Sequence, residues 1–240
     1  MKLKRKCLFL VFMLLLVFFT NALEVSALNT GFETKEMTEK EKETFFSNCS
    51  ISSVKTPPTK GGIRCFDVNE DGLIAIGMGF GEKTVCVYTS QGEFLYGYTF
   101  EGGQSFGVEW DGEYINIYFV RSDVIISLDS EGNVLDAKIV KNAKDNNTHR
   151  STLLHSTKRT VHDTTYLIRN DMGVFNWIAL SYSQVVVVDV NGVERIIYDV
   201  NSTQLVKTIV LFVFVLAFLS FATAVLVKHS IIARRRFYDK

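Results

Sequence analysis

The chain has 240 residues, of which 47% are hydrophobic, and it carries 26 basic and 26 acidic residues. Residues 28–204 contain 16 basic and 24 acidic residues, a net charge of −8, and are long enough for one domain with a hydrophobic core. This negative charge argues against nucleic acid as a partner, because such binding requires basic residues that neutralise phosphates. It also disfavours adhesion of this region to anionic lipid.

Residues 1–27 have the features of a secretory signal peptide. Four of the first six residues are basic, an apolar run covers residues 7–19, and Ser26 and Ala27 provide small residues for cleavage after Ala27. The alternative is an uncleaved signal anchor, because the apolar run is long. Both interpretations place the following region outside the cytoplasm.

Residues 28–62 are expected to contain a short helix followed by a connector. Thr38 and Glu41 match the capping-box pattern, in which each side chain binds the backbone amide of the other residue. We therefore predict a helix over residues 38–47. Residues 56–62 contain both prolines of the chain and two glycines, which is typical of a connector.

Three similar units follow the connector, at residues 63–104, 105–140 and 164–200. In each unit a turn glycine precedes a short apolar strand, and a second turn glycine follows 19 or 20 residues later. The glycine pairs are Gly72 and Gly92, Gly112 and Gly132, and Gly173 and Gly192. Each unit divides into four short segments rich in Val, Ile, Tyr and Phe, and glycine provides the positive φ of tight hairpin turns. Four antiparallel strands in about 40 residues are typical of one blade of a β-propeller.

The pattern of the first unit resembles NHL-type and related six-bladed propeller repeats. The resemblance lies in residues 66–76, FDVNEDGLIAI, and residues 87–94, VYTSQGEF. It implies a scaffold that presents a ligand or partner surface on one face, and some such propellers are hydrolases or lyases. We therefore predict an all-β domain over residues 63–204, built from antiparallel four-stranded blade repeats as a partial β-propeller. A short N-terminal helix and one C-terminal transmembrane helix complete the predicted fold.

A propeller ring normally closes with four to eight blades, whereas this sequence shows three. Three alternatives follow. The blades form an open fan whose edges are covered by the N-terminal helix and connector, or two chains complete a six-bladed ring, or the hairpins form a different meander such as a sandwich. Exposed edge strands tend to pair with another chain. We therefore expect self-association or a protein partner.

The segment inserted between the second and third units, residues 141–163, is the candidate partner-binding loop. It is longer than most loops, it is locally basic within an acidic domain, and it holds three of the four histidines of the chain. The candidate contact residues are His149, Arg150, His155, Lys158, Arg159 and His162. The histidine spacings match no standard metal signature, and we predict no metal, cofactor or catalytic site.

Three cysteines lie after the signal segment. The predicted location of this region is an oxidising compartment, where disulfides persist. Because three is an odd number, at most one internal disulfide forms. Cys49 and Cys65 are the expected pair, since their bond would link the N-terminal helix to the first strand, and Cys86 would remain free.

Residues 208–227 are uncharged, and a helix of twenty residues spans about 30 Å, the thickness of the hydrocarbon core of a bilayer. We predict a transmembrane helix over residues 205–228 and a basic tail over residues 229–240. Basic residues concentrate after the span, which places the tail in the cytoplasm by the positive-inside rule. The expected location is the plasma membrane, with a single pass and most of the chain outside.

Together these features predict a single-pass membrane protein whose outer domain binds a partner and is not an enzyme. The sequence identifies no small-molecule ligand. One alternative is a membrane-anchored extracellular hydrolase on the same scaffold, which would require a clustered polar site. The other alternative is an accessory subunit of a membrane complex.

Overall fold

Antiparallel sheets dominate the structure. The computed structural model describes residues 28–79, 83–101 and 105–238. Within these residues, fourteen strands form three antiparallel sheets, together with three α-helices and one 3₁₀ helix. The prediction of a mostly β, antiparallel fold is therefore confirmed. The predicted signal peptide, residues 1–27, lies outside the described residues.

The elements have the following bounds in chain order. The first are β1 (Thr34–Glu36), α1 (Glu39–Ser47), β2 (Ile51–Val54), β3 (Ile63–Val68), β4 (Ile74–Met78), β5 (Lys83–Tyr88), β6 (Phe94–Phe100), β7 (Phe106–Asp111) and β8 (Tyr114–Phe119). They are followed by β9 (Val124–Leu128), β10 (Val134–Val140), α2 (Lys144–His155), β11 (Lys158–Val161), β12 (Thr164–Arg169), the 3₁₀ helix (Gly173–Ile178), β13 (Gln184–Val188), β14 (Glu194–Asp199) and α3 (Asn201–Tyr238).

Each sheet contains four strands that are consecutive in the chain. Sheet 1 has the order β2-β6-β5-β4-β3, sheet 2 the order β1-β10-β9-β8-β7, and sheet 3 the order β11-β12-β13-β14. The short strands β1 and β2 belong to the N-terminal segment. They pair with β10 and β6, each the last of the four consecutive strands in its sheet. They occupy edges that would otherwise expose unpaired backbone groups.

Helix α1 forms where the capping box predicts it. The Glu41 amide donates to the Thr38 hydroxyl at 3.3 Å, and the Thr38 amide donates to the Glu41 carboxylate at 2.8 Å. Phe45 near the end of the helix is buried, and its ring centroid lies 5.3 Å from that of Phe119. The helix therefore covers the hydrophobic layer between sheets 1 and 2.

Sheet 1 lies between the other two sheets and is buried on both faces. One face packs against sheet 2 through side chains such as Phe100 and Phe106. The opposite face packs against sheet 3 through Phe66, Tyr88 and Tyr198. All five residues of β4 are buried, because a strand that is covered on both faces needs apolar side chains at every position.

Gly77 in β4 allows sheet 2 to approach sheet 1 closely. A Cβ atom at this position would lie 2.8 Å from the Phe106 ring in β7 and would also overlap the Cys65 sulfur. Both neighbours are buried. A larger residue would therefore push the two sheets apart.

Asp67 in β3 joins the three sheets through its carboxylate. Its Oδ1 atom accepts a hydrogen bond from Arg159 Nε in β11 at 2.6 Å, and its Oδ2 atom accepts one from the Trp110 backbone amide in β7 at 2.9 Å. The Arg159 and Asp67 side chains are only 19% and 15% exposed. Strand β3 is therefore the place where the three sheets meet.

The predicted boundaries of the third unit differ from the structure in its first half. The pattern predicts a strand after Gly173, whereas a 3₁₀ helix begins there. The first strand of sheet 3 is β11, which lies inside the segment expected to be a loop, and α2 occupies most of the rest of that segment. The β11–β12 turn contains no glycine, and His162 adopts the positive φ, 51°, that this turn requires. Positive φ is uncommon outside glycine, so a glycine pattern does not detect this turn.

The expected Cys49–Cys65 disulfide is not formed in this structure. Cys49, Cys65 and Cys86 are buried free thiols. Cys65 points toward Gly77 between sheets 1 and 2, whereas Cys49 lies beyond the end of α1. Burial raises the pKa of Cys49 to about 11 and the pKa of Cys65 and Cys86 to about 12. All three thiols therefore remain protonated and unreactive at neutral pH.

Six of the hairpin turns lie at the end of the sheets opposite to α3. The backbones of Ile63, at the start of β3, and Tyr182 are hydrogen-bonded to each other. Gln184 at the start of β13 pairs with Asp199 at the end of β14. Because α3 begins two residues after Asp199, it leaves the domain from this end, which we call the helix end. The turns from β3 to β4, β7 to β8 and β13 to β14 lie at the other end, which we call the turn end.

Helix α3 is long and apolar enough to cross a membrane. Its candidate span, Asn201–Thr223, qualifies by length and composition. Most of the large apolar side chains of this span are exposed. Such a surface is unfavourable in water. The apolar helix predicted near residues 205–228 is therefore present.

Candidate functional site

The candidate loop residues do not form one exposed surface. His149 lies on α2, which packs on the edge strands β7 and β3. Its Nε2 atom is 2.8 Å from Oε2 of Glu109 in β7, and its ring meets the Phe32 ring edge-on at 4.5 Å. Glu109 also accepts a hydrogen bond from the Thr30 hydroxyl. His149 therefore fixes the N-terminal segment and α2 to sheet 2.

The two candidate arginines also have intramolecular partners. Arg150 Nη2 lies 2.7 Å from Oδ1 of Asp123, and the guanidinium carbon is 5.5 Å from the centroid of the Tyr118 ring. Arg159 binds Asp67 in the contact that joins the three sheets. Both arginines are therefore engaged within the domain.

The other three candidates lie in separate places. His155, at the end of α2, lines a cleft at the helix end. Lys158 is exposed on β11, and His162 is exposed in the β11–β12 turn at the turn end. The segment thus runs from one end of the domain to the other, and its candidates do not form one cluster. Across the described residues, no three histidine, cysteine or acidic side chains are grouped to hold a metal ion.

The turn end concentrates negative charge. We define the turn face as the six hairpin turns at this end, residues 69–73, 89–93, 111–113, 129–133, 162–163 and 189–193. These turns contain nine acidic residues and no lysine or arginine. The acidic residues are Glu70, Asp71, Glu93, Asp111, Glu113, Asp129, Glu131, Asp163 and Asp189. The rest of residues 28–204 is close to neutral, since the net charge of that whole region is −8.

A groove of about 330 Å³ opens in the turn face between sheets 1 and 2. Its walls combine aromatic rings with carboxylates. The aromatic residues are Tyr96, Trp110 and Tyr114, and the acidic residues are Asp71, Glu113 and Asp129. The face of an aromatic ring and a carboxylate both attract cations. The groove is therefore suited to a positively charged group.

Asp129 keeps its charge in this groove. Partial burial disfavours its carboxylate, but hydrogen bonds from the Asn133 side chain and amide and from the Glu131 amide outweigh that effect and lower the Asp129 pKa below its ordinary value. These bonds are 2.8–2.9 Å long and close the β9–β10 turn around the carboxylate. The carboxylate therefore stays ionised at neutral and mildly acidic pH.

The helix end contains a cleft with basic side chains. It has a volume of about 380 Å³ and lies where β3, β7, α2 and the residues before β13 converge. Its basic lining residues are Arg64, Lys83 and His155, and the described part of its lining includes no acidic residue. Burial, followed by the nearby charge of Arg64, lowers the pKa of Lys83. The domain is therefore polarised, with a basic cleft next to α3 and acidic turns away from it.

The sequence places acidic residues next to several turn glycines, but the pattern of glycines alone does not indicate an acidic face. Asp71 precedes Gly72, Glu131 precedes Gly132, and Glu113 follows Gly112. Each turn alone is an ordinary hydrophilic hairpin. Only the alternation of turns between the two ends of each meander brings these carboxylates to one face.

The chain matches no known family in the comparisons made. No family model, curated protein or solved structure matches it. Its function is therefore inferred from its own fold and charge distribution.

Proposed function

We propose that the chain is a single-pass membrane protein whose extracytoplasmic β domain binds a partner and catalyses no reaction. Helix α3 crosses the membrane, and the basic tail lies in the cytoplasm. The exposed apolar surface of α3 and the basic residues that follow it support this topology. The domain then stands with its helix end against the membrane and its turn face toward the outside.

We further propose that the domain is an open, three-bladed fan of the β-propeller type, as its resemblance to NHL-type repeats implies. Three four-stranded meanders that pack face to face support this proposal. Leu28, Phe32 and Leu153 cover the outer face of sheet 2. The outer face of sheet 3 carries the ion pair of Arg169 and Glu194 at 2.9 Å. The covered outer face of sheet 2 disfavours a second chain that would close a six-bladed ring.

Cleavage of the signal peptide fits the same topology. The Leu28 backbone nitrogen lies 3.5 Å from Oδ2 of Asp136, and the Leu28 side chain is buried. Cleavage after Ala27 would turn this nitrogen into an ammonium group, and the opposite charge would strengthen its contact with Asp136. We therefore favour a cleaved signal peptide over a signal anchor. An intact mass that includes residues 1–27 would contradict this choice.

The turn face is the proposed partner site. Its carboxylates and its aromatic groove favour a positively charged partner, such as a segment of another protein that is rich in lysine and arginine. The separation of charge between the turn face and the helix end is the observation that carries this proposal. Because the turn face points away from the membrane, a soluble partner can reach it.

Neutralising two groove carboxylates is expected to weaken the binding of a cationic probe. The full chain in a neutral detergent is titrated with a fluorescent oligolysine peptide, and Asp71→Asn/Glu113→Gln is compared with the unchanged chain. An exposed charge pair contributes about 0.2–1 kcal/mol, so the loss of two pairs should weaken binding about two- to thirtyfold. Added salt should weaken the binding of the unchanged chain as well.

The control for this experiment is Glu43→Gln/Glu101→Gln. It removes two exposed carboxylates outside the turn face and changes the net charge by the same amount. This variant is expected to bind oligolysine nearly as well as the unchanged chain. Equal weakening in the two variants would show that the peptide responds to overall charge, and would contradict a site at the turn face.

A further inference from the structure

The connection between β12 and β13 exposes large apolar side chains beside α3. Val174, Trp177 and Leu180 are 77%, 79% and 65% exposed. No charged residue occurs within residues 172–183. Clustered exposed apolar side chains mark contact with a protein or a membrane. We call residues 173–180 the apolar foot.

The first turn of α3 holds both ends of the apolar foot. Before the foot, the Asn201 side chain donates a hydrogen bond to the Asp171 carbonyl. After the foot, the Gln204 side chain donates to the Ser181 hydroxyl at 3.0 Å. Because both bonds start from α3, the foot has a defined position relative to this helix.

A ring contact shows how far the apolar foot extends along α3. Phe175 meets Phe212 with ring centroids 6.1 Å apart. Phe212 lies about 16 Å along the axis from the start of α3, and about 6 Å beyond Thr208, where the uncharged run begins. The foot therefore reaches the level at which α3 would enter the hydrocarbon of a bilayer.

We propose that the apolar foot inserts into the interfacial layer of the outer leaflet of the membrane that α3 crosses. Tryptophan is enriched in this layer, because its ring is apolar while its N–H group needs a polar neighbour. The uncharged sequence of the foot and its contact with α3 favour phospholipid over water as its surroundings. This inference rests on the proposed membrane span. It adds a second contact, which sets the height and tilt of the domain above the bilayer.

Tryptophan fluorescence tests this placement, because the chain has only two tryptophans. Trp110→Phe leaves Trp177 alone, and the matched variant Trp177→Phe leaves Trp110, a half-buried residue at the sheet 1–sheet 2 contact. Each full-length variant is reconstituted into phosphatidylcholine nanodiscs at one chain per disc. We expect lipids brominated near the head-group end of their acyl chains to quench Trp177, and aqueous iodide to quench it poorly. Trp110 is expected to show no quenching by brominated lipid.

The outcomes separate this inference from the membrane span of α3. If the chain co-elutes with nanodiscs while iodide quenches Trp177 and brominated lipid does not, the apolar foot lies in water and the inference is overturned, whereas the span stands. Protection from both quenchers would indicate a protein contact and would also overturn it. A chain that does not co-elute with nanodiscs would contradict the span itself, and the inference with it.

Discussion

Replacing Phe119 with alanine is expected to lower the free energy of unfolding by about 3–5 kcal/mol. Phe119 is fully buried, and its ring centroid lies 5.3 Å from that of Phe45 in α1 and 5.2 Å from that of Phe100 in sheet 1. The substitution therefore removes contacts among α1, sheet 1 and sheet 2 at once. Domains of this kind typically have a free energy of unfolding of about 5–15 kcal/mol, so the substitution would remove a large share of this stability. Urea unfolding of the full chain in mild detergent, followed by circular dichroism, measures the change.

Phe46→Ala is the matched control, because Phe46 is adjacent to Phe45 but remains partly exposed. It is expected to lower the free energy of unfolding by less than half as much as Phe119→Ala does. If the alanine variant of Phe119 does not fold, Phe119→Leu gives a smaller cavity and an expected loss of about 1–2 kcal/mol. Equal losses at Phe119 and Phe46 would contradict the central position of Phe119 in the core.

The second large effect is expected at Asp67, whose carboxylate joins the three sheets. Asp67→Ala leaves the Arg159 guanidinium and the Trp110 amide without this partner. A largely buried polar group that loses its partner costs more than an ordinary hydrogen bond contributes. Because the ion pair retains some solvent contact, we expect a loss of about 2–3 kcal/mol, measured by the same urea unfolding.

Two further variants define the role of Asp67. Asp71→Ala alters an exposed carboxylate four residues away and is expected to change stability by less than about 0.5 kcal/mol. Asp67→Asn keeps an oxygen that accepts a hydrogen bond from Trp110 but removes the charge that binds Arg159. Its loss of free energy of unfolding should therefore lie between the losses of Asp67→Ala and Asp71→Ala. If Asp67→Ala is no more harmful than Asp71→Ala, Asp67 does not join the sheets.

Elements determined by neighbouring residues could be predicted from the sequence. Helix α1 follows from Thr38 and Glu41, because a capping box is complete within four residues. The turns at Gly72 and Gly92 follow from the ability of glycine to adopt positive φ, and both glycines do so. These signals need no information about the rest of the fold.

The start of sheet 3 could not be predicted in the same way. His162 adopts positive φ in a hairpin without being glycine, whereas Gly173 adopts positive φ at the start of a 3₁₀ helix. A pattern of glycines predicts a hairpin turn at Gly173 and none at His162, whereas the structure has the hairpin turn at His162 and a 3₁₀ helix at Gly173. The outcome depends on which strands are available to pair, and strand pairing is a property of the whole fold.

The candidate site depends on contacts between residues that are far apart in the chain. His149 pairs with a residue 40 positions earlier, and Arg159 with one 92 positions earlier. A locally basic segment therefore looked available for a partner, whereas its main charges are engaged within the domain. The turn face could not be predicted either, because each turn contributes only one or two of its carboxylates and the turns are far apart in the chain.

Labelling of engineered cysteines tests most directly whether the turn face lies outside the cell and the C-terminal tail inside it. Cys49, Cys65 and Cys86 are buried and should give little background, which the unsubstituted chain checks. Asn191→Cys in the β13–β14 turn and Lys240→Cys at the C-terminus are each treated with a membrane-impermeant maleimide. We expect label on Asn191→Cys in intact cells, and on Lys240→Cys only after permeabilisation. Label on Lys240→Cys in intact cells, or on Asn191→Cys only after permeabilisation, would contradict the proposed orientation.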